Sequence, residues 1–528
     1  MCGFTVYTGR DKMLRLKVPY EFRKVKYRGP DNTLAEDFGD NGWMGFHRLK
    51  IIDISDRGNQ PLVYKNIHLI CNGEIYNYPE LRKKYENTYK FQSDSDCEVI
   101  IPMFLEHGIR KTALGLDAEF VFVIYDSLQK KYFAARDPVG IRPMFYGYTE
   151  SGEIMFASEL KTLHSVCKEV KPFPPGHYYD GEKFHSFRDV SYIRSYHEDD
   201  IEEVCRKINH LLTRGVEKRM VADVPVGFLC SGGVDSSLVC AIGAKLVDKP
   251  VRTFAVGIDD GPIDTKYARI VAEYLGADHT EVLFPRQDLF DTLSTLIYNI
   301  ETYDVTTIRA SMGMYILCKY IRENTDIKVL LTGEISDEIF GYKYTDFAPS
   351  PEAFQKEAEK RIREIYMYDV LRADRCISSN GIEARVPFGD LDFLDYVMSI
   401  RPELKMNFTG IGKYLLRKSF EGDYLPHEIL YREKAAFSDA VGHSVTDSLK
   451  AYAEELYSDE DLLIAQIKYK HAPPISRESL MYRDIFEQHF PGRAEVIKDI
   501  WMPNKEWANC NVNDPSARVL PNYGKSGE

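Results

Sequence analysis

The chain has 528 residues, room for two to four domains at roughly 150 residues each. Its 68 basic and 81 acidic residues leave a formal charge of −13, the wrong sign for a surface that must neutralise nucleic-acid phosphates. No apolar run approaches the ~18 residues of a membrane helix, and 44% hydrophobic with 28% charged residues is the balance of a folded soluble protein, so neither nucleic acid nor membrane is an expected partner.

Residues 1 to about 185 read as β-rich, with short apolar runs such as GWMGFHRLKIID, IHLICNGEIYN and EFVFVIYDSLQKKYFAARD separated by turn chemistry. Ser151-Gly152 and Asp180-Gly181 are hairpin signals, and helical patterns lie near 95–108 and 158–165. This predicts stacked antiparallel sheets with helices outside. From about 200 the texture changes. Val204, Ile208, Leu211, Leu212 and Val216 form one helical stripe, and strands and helices then alternate. The predicted strands are 224–230, 251–258 and 327–333. A helix follows each of the first two, with Gly276 ending the second, and Ser350-Pro351-Glu352 opens a long helix. Such alternation predicts a parallel sheet covered by helices. The last ~80 residues read as peripheral helices and a tail.

Residues 231–237, SGGVDSS, stand between a predicted strand and a predicted helix, where an open α/β sheet binds ligands. Gly232 and Gly233 admit close approach of backbone amides to phosphate, and the helix N-terminus adds N–H donors. No GK[ST] follows, so a Walker-type loop is not expected. Asp235 would repel phosphate unless a cation lay between them, and Mg²⁺ resolves that conflict. A second acidic loop, GEISDE (333–338), follows the third strand, and its Asp337 is placed to complete the site. A helix cap is the plainer reading of Asp235 taken alone.

The ten cysteines are too few for a disulfide framework and none forms a CxxC pair, as expected of reduced thiols in a cytoplasmic chain. Cys2 stands apart. Removal of Met1 would leave a thiol and an α-amine of pKa ~7.7–8.0 on one residue, a nucleophile with its own base.

SGG-x-DS resembles the pyrophosphate loop of ATP pyrophosphatases, which implies adenylation of a carboxylate by ATP. Cys2-Gly3, RGPD (28–31), HRL (47–49), NGEIYN (72–77) and SDCE (95–98) resemble class II glutamine amidotransferases, which implies an N-terminal-nucleophile αββα domain over residues 2–185. Joined to an α/β ATP-pyrophosphatase-type domain over 200–528, the whole resembles the glutamine-hydrolysing asparagine synthetase family. ETYDVTTIRAS (301–311), REKAAFSD, GIEARVPF (381–388) and DPSAR (514–518) extend the likeness over nearly the whole chain.

The resemblance implies roles residue by residue. In the glutaminase half Cys2 is the nucleophile. Arg48, with Leu49, Lys50, Ile51 and Ile52, receives glutamine, Glu74 and Asp96 hold its α-ammonium, and Asn72 and Gly73 form the oxyanion hole. In the synthetase half Leu229, Ser231, Gly232, Gly233, Asp235, Ser236, Val256, Thr332 and Gly333 hold ATP, and Asp235 and Asp337 hold Mg²⁺. Thr306, Thr307 and Arg309 receive aspartate, while Glu334 and Lys434 serve adenylation and transfer. The implied product is asparagine, made through β-aspartyl-AMP with ammonia carried inside the molecule. The partners are small molecules, and a homodimer is one assembly open to the chain.

Three positions depart from the family pattern. Ile335 replaces the second glycine of GEGSDE, FGG becomes Phe340-Gly341-Tyr342, and VPFLD becomes VPFGD with Gly389. A β-branched residue is ill suited to a backbone at φ > 0, so Ile335 implies either a tolerant loop or impaired synthesis. The survival of Asp235, Glu334, Asp337 and Arg309 favours tolerance. A glutaminase that no longer synthesises is the rival reading. Phosphosugar or phosphoribosyl transferases lack SGGVDSS, and β-lactam synthetases lack the nucleophilic cysteine.

Overall fold

The computed structural model describes residues 1–259, 263–432 and 443–524. The chain forms two compact units. The first comprises Met1–Val190 together with two short returning segments, Val221–Pro225 and Ser378–Glu383, and the second takes the rest.

The first unit holds twelve strands: β1 Gly3–Tyr7, β2 Asn32–Asp37, β3 Trp43–Arg48, β4 Leu62–Tyr64, β5 Ile67–Ile75, β6 Ala118–Asp126, β7 Lys131–Arg136, β8 Phe145–Tyr148, β9 Ile154–Ala157, β10 Glu169–Pro172, β11 His177–Tyr179 and β12 Phe184–Ser186. They form two six-stranded sheets, ordered β10-β8-β9-β1-β3-β2 and β12-β11-β7-β6-β5-β4. Alternation aims Phe4 and Val6 of β1 into the space between the sheets, where they meet Ile70, Val121 and Val123 from the second sheet. The outer face of that sheet packs Cys71, Phe120 and Phe122 against Ile100, Ile101 and Phe104 of a helix. Helix α1 (Lys12–Phe22) buries Val18 and Phe22 on the first sheet, with the Phe22 ring stacked 3.7 Å from that of His47. The layers are therefore helix, sheet, sheet, helix. β1 is central in its sheet, which places Cys2 at the mouth of the sandwich.

Gly152 (φ +88°) and Gly181 (φ +97°) turn the two expected hairpins. The 95–108 pattern is a 3₁₀ turn at Asp96–Val99 running into the helix Ile100–Leu114. The helix expected near 158–165 is only the 3₁₀ turn Leu160–Thr162. Leu160 and Leu163 are both buried, and a three-residue spacing satisfies a 3₁₀ turn as well as an α-helix.

In the second unit β13 (Val226–Leu229), β14 (Arg252–Ile258), β15 (Asp278–Phe284), β16 (Val329–Leu331) and β17 (Glu383–Arg385) form one sheet, ordered β15-β14-β13-β16-β17. β13 runs parallel to both β14 and β16, and β14 parallel to β15. β15 and β17 carry no alternation strong enough to be read in advance. Helix α2 (Val234–Leu246) follows β13, and Gly276 (φ +62°) ends Ile263–Leu275 as expected. Ser350 caps Pro351–Glu364, accepting from the Ala353 N–H. The C-terminal stretch is less peripheral than the sequence suggests. Trp507, Cys510, Ala517 and Leu520 are buried against Tyr344 and Phe354, because the tail carries apolar anchors with no regular period.

Candidate active sites

In the first unit the Cys2 N–H donates to Asn72 Oδ1 at 2.9 Å. The Cys2 thiol sits on the Leu49 backbone, accepting from its N–H at 3.4 Å and donating to its carbonyl at 3.8 Å. Arg28 Nε binds the Cys2 carbonyl at 2.9 Å, and its Nη1 reaches Glu159 and Ser378 at 2.6 and 2.8 Å. Cys2 is thus held on three sides by β1, β3 and β5. The Asn72 Nδ2 is buried without a hydrogen-bond partner, so this residue, which holds the Cys2 nitrogen through its Oδ1, keeps one donor unused. Gly73 faces Phe120 across β5–β6, and a Cβ there would stand 2.5 Å from the Glu119 carbonyl. Glycine is required at that point by strand approach.

Met1 is fully buried. Burial lowers its ammonium to about 6, against the opposing pull of Glu383 at 3.9 Å. Burial likewise raises the Cys2 thiol to about 11, with the neighbouring ammonium opposing. With Met1 in place the thiol is therefore overwhelmingly protonated near neutrality.

Arg48 is not an open fork. Its guanidinium donates to the carbonyls of Ser55 (2.8 Å), Ile52 (3.2 Å) and Asp53 and to Asn59 Oδ1 (3.0 Å), so it shapes the loop that carries Leu49, Lys50, Ile51 and Ile52. In that loop the Lys50 N–H binds Asp31, the Ile51 carbonyl accepts from the Asp223 N–H, and Asp53 at φ +57° binds the Asp94 N–H. Glu74 and Asp96 are both buried, and Asp96 accepts from the Ile75 N–H at 2.8 Å. Arg28 was missed as a supporting residue, although it opens the RGPD motif.

In the second unit a cavity of about 470 Å³ lies beyond the ends of β13 and β16. Its wall includes Leu229, Ser231, Gly233, Asp235, Ser236 and Val256, then Thr306, Thr332, Gly333, Glu334 and Asp337. The two acidic loops read from the sequence thus converge. Gly232 takes φ +71°, where a Cβ would strike Tyr267 at 2.6 Å, and a Cβ on Gly333 would stand 2.8 Å from the Ser236 nitrogen. Both glycines are imposed by close approach. The Thr332 hydroxyl and Glu334 Oε2 are buried without partners.

The place assigned to a cation between Asp235 and Asp337 is taken by Lys413, a residue the sequence reading missed. Its ammonium lies 2.8 Å from both Asp235 oxygens, 2.5 Å from Asp337 and 3.1 Å from Ser336 Oγ. Enclosure by the cavity walls raises the Asp337 pKa, with Lys413 opposing and Asp235 adding. Among the described residues no group of three or more His, Cys, Asp or Glu could hold a metal ion. Two convergent carboxylates around a positive charge nonetheless fit the hard-oxygen chemistry of Mg²⁺, with phosphate and water supplying the remaining ligands. Lys413 follows Gly410 and Gly412 at the head of a short helix, a basic residue after a glycine-rich turn that offered the only advance signal.

The aspartate segment opens the helix Val305–Asn324. Asp304 caps it, accepting from the Thr307 N–H and from both threonine hydroxyls at 2.6 and 2.8 Å. Thr306 reaches the cavity wall, whereas Thr307 and Arg309 do not. Arg309, expected to face a substrate carboxylate, holds two carboxylates of the chain itself in this structure. Its guanidinium is 3% exposed and already holds Glu478 at 2.9 and 2.6 Å and Asp514 at 3.1 and 3.4 Å. A buried guanidinium needs such partners, and the chain supplies them from its own C-terminal part. Lys434 lies outside the described residues.

Ile335 adopts φ +82°, ψ −24°, the left-handed conformation that the glycine it replaces would take freely. Its side chain is 1% exposed. The loop thus holds a branched, buried side chain at positive φ.

A glutamine amidotransferase domain model matches residues 1–193, and an asparagine synthase model matches 207–355 and 345–513. The probable asparagine synthetase [glutamine-hydrolyzing] of Acanthamoeba polyphaga mimivirus is 43% identical over 557 aligned residues, covering 99% of this chain and all of that protein. The asparagine synthetases [glutamine-hydrolyzing] of Cricetulus griseus and Homo sapiens are each 40% identical over 565, covering 99% of both chains. Among the described residues no helix is long and apolar enough to cross a membrane. On full-length similarity of this order, with both sets of motifs gathered as described, the chain belongs to the glutamine-hydrolysing asparagine synthetases.

Proposed function

We propose that the chain makes L-asparagine from L-aspartate, ATP and the amide nitrogen of glutamine. Loss of Met1 would put a free α-amine at the Cys2 nitrogen, 2.9 Å from Asn72 Oδ1. That amine takes the thiol proton, and Sγ attacks the glutamine amide carbon. Asn72 Nδ2 and the Gly73 N–H receive the oxyanion, the C–N bond breaks, and ammonia leaves with a proton. Water then clears the thioester as glutamate. Arg48, acting through the loop it shapes, and the carboxylates of Glu74 and Asp96 position glutamine.

In the other unit a β-carboxylate oxygen of aspartate attacks the α-phosphorus of ATP, pyrophosphate leaves, and β-aspartyl-AMP forms. Ammonia attacks its carbonyl carbon and AMP departs. The Ser231–Ser236 loop cradles phosphate oxygens, while Val256 and Leu229 lie against the nucleotide. Mg²⁺ held by Asp235 and Asp337 would neutralise phosphate charge, and Lys413 would yield or share its place. The observation that carries the reading is the unpartnered Asn72 Nδ2 beside Cys2, in the same chain as two loops converging on one cavity of about 470 Å³.

The test compares asparagine and AMP formation with glutamine and with ammonium salt, in wild type and Cys2→Ala. The variant is expected to lose glutamine use and keep ammonia use. Failure of wild type to form AMP with either nitrogen source would favour a glutaminase that no longer synthesises, the reading Ile335 raises.

A further inference from the structure

With Arg309 committed to Glu478 and Asp514, the cavity needs another group to receive a substrate carboxylate. The cations on its wall differ in what already holds them. Lys413 is bound by Asp235 and Asp337, Arg361 by Glu357 and the Met502 carbonyl, and Lys405 by Gln355 and the Val397 carbonyl. Arg372, on the helix Asp369–Ser378, is different. Its Nη2 touches Asp369 at 2.9 Å and Glu334 Oε1 at 3.4 Å, while its Nε–H is buried with no partner. The facing Glu334 is 7% exposed, and its Oε2 is also buried without a partner. A strong donor and a strong acceptor thus stand side by side on the wall of one cavity, each with one buried atom that has no hydrogen-bond partner. Buried polar groups rarely remain so unless something else completes them.

We propose that Arg372 and Glu334 together receive the amino-acid end of the aspartate substrate, Arg372 taking its α-carboxylate and Glu334 its α-ammonium. This rests on the synthetase reading above. A zwitterionic end needs one donor fork and one anion a few ångströms apart, and these two supply both. The assignment leaves the β-carboxylate free to face the phosphate loops, and it gives Glu334 a binding part in selecting an amino acid over a simple dicarboxylic acid. Thr306 is left as wall.

Two measurements on the full chain test it. Calorimetric titration of aspartate into wild type, Arg372→Ala and Glu334→Gln reads binding directly, whether or not the chain makes asparagine. Ammonia-dependent AMP formation reads KM. Arg372→Ala is expected to weaken aspartate by roughly 10- to 100-fold, the worth of a charge-assisted hydrogen bond, with the KM for ATP unchanged. Added guanidinium ion should restore part of the loss. The near-isosteric Glu334→Gln should weaken aspartate while leaving inhibition by succinate, which lacks the ammonium, as in wild type. Unchanged aspartate affinity in Arg372→Ala, or ATP and aspartate weakening in step without guanidinium rescue, would overturn the proposal. Normal aspartate binding through Arg372 in a chain that forms no AMP would instead overturn the reaction and leave the receptor standing.

Discussion

At residue scale, Ile335 shows how a misplaced side chain is accommodated. Left-handed backbone costs a β-branched residue ~1–2 kcal/mol, whereas burying an isoleucine contributes ~1.5–3 kcal/mol. The two nearly cancel, and in the loop so formed Asp337 joins Asp235 on the Lys413 ammonium. The usual ranking of core truncations should therefore reverse. Ile335→Ala retains the strain and loses the burial, and should destabilise by ~2–4 kcal/mol. Ile335→Gly loses the burial but also the strain, and should be more stable than the alanine variant by ~1 kcal/mol in denaturant titration. Alanine proving the more stable of the two would mean that the loop does not hold φ +82°. The need for positive φ here was readable as a conditional from the family loop. The burial that offsets it was not, since no local pattern announces that a loop residue is enclosed.

Among the elements, the strand-to-helix junctions were the most legible features, and for a physical reason. β13, its glycine loop and α2 declare themselves by a switch from an apolar strand run, through a glycine pair, to a helix within a dozen residues. What reaches a junction from far along the chain leaves no such trace. Lys413 arrives at Asp235 from 178 positions away, and Glu478 arrives at Arg309 from 169. The first of these has a measurable consequence. Lys413→Met leaves Asp235 and Asp337 facing each other without a counter-charge. A fully buried pair so broken would cost ~3–5 kcal/mol, and the opening of Asp337 to the cavity reduces this to about 1–3 kcal/mol. Added Mg²⁺ should raise the melting temperature of the variant more than that of wild type, because the divalent ion then has no resident competitor. An equal response in both proteins would show that magnesium does not sit between these carboxylates.

On the scale of the whole molecule, the division into a β-rich first part and an alternating second part was clear from texture alone. The interrupted path of the first unit was not. Val221–Pro225 and Ser378–Glu383 return to it, and their work is specific. Asp223 accepts from the Asp53 N–H at 2.9 Å and donates its own N–H to the Ile51 carbonyl, Ser378 accepts from Arg28, and Glu383 faces the N-terminal ammonium. A fragment ending at residue 193 would contain every glutaminase motif and lack all of these supports. It should melt below the intact chain and bind glutamine more weakly, the loosened 49–59 loop being the cause. Matching melting temperature and glutamine KM in fragment and full chain would show that the returning segments are dispensable. The same layout orders events during translation. At about 5–20 residues per second the ribosome needs roughly 10–40 s after residue 190 to emit residue 383. The last of the segments that brace Cys2 and its neighbours therefore leaves the ribosome only after β13, β14, β15 and β16 of the second unit have done so.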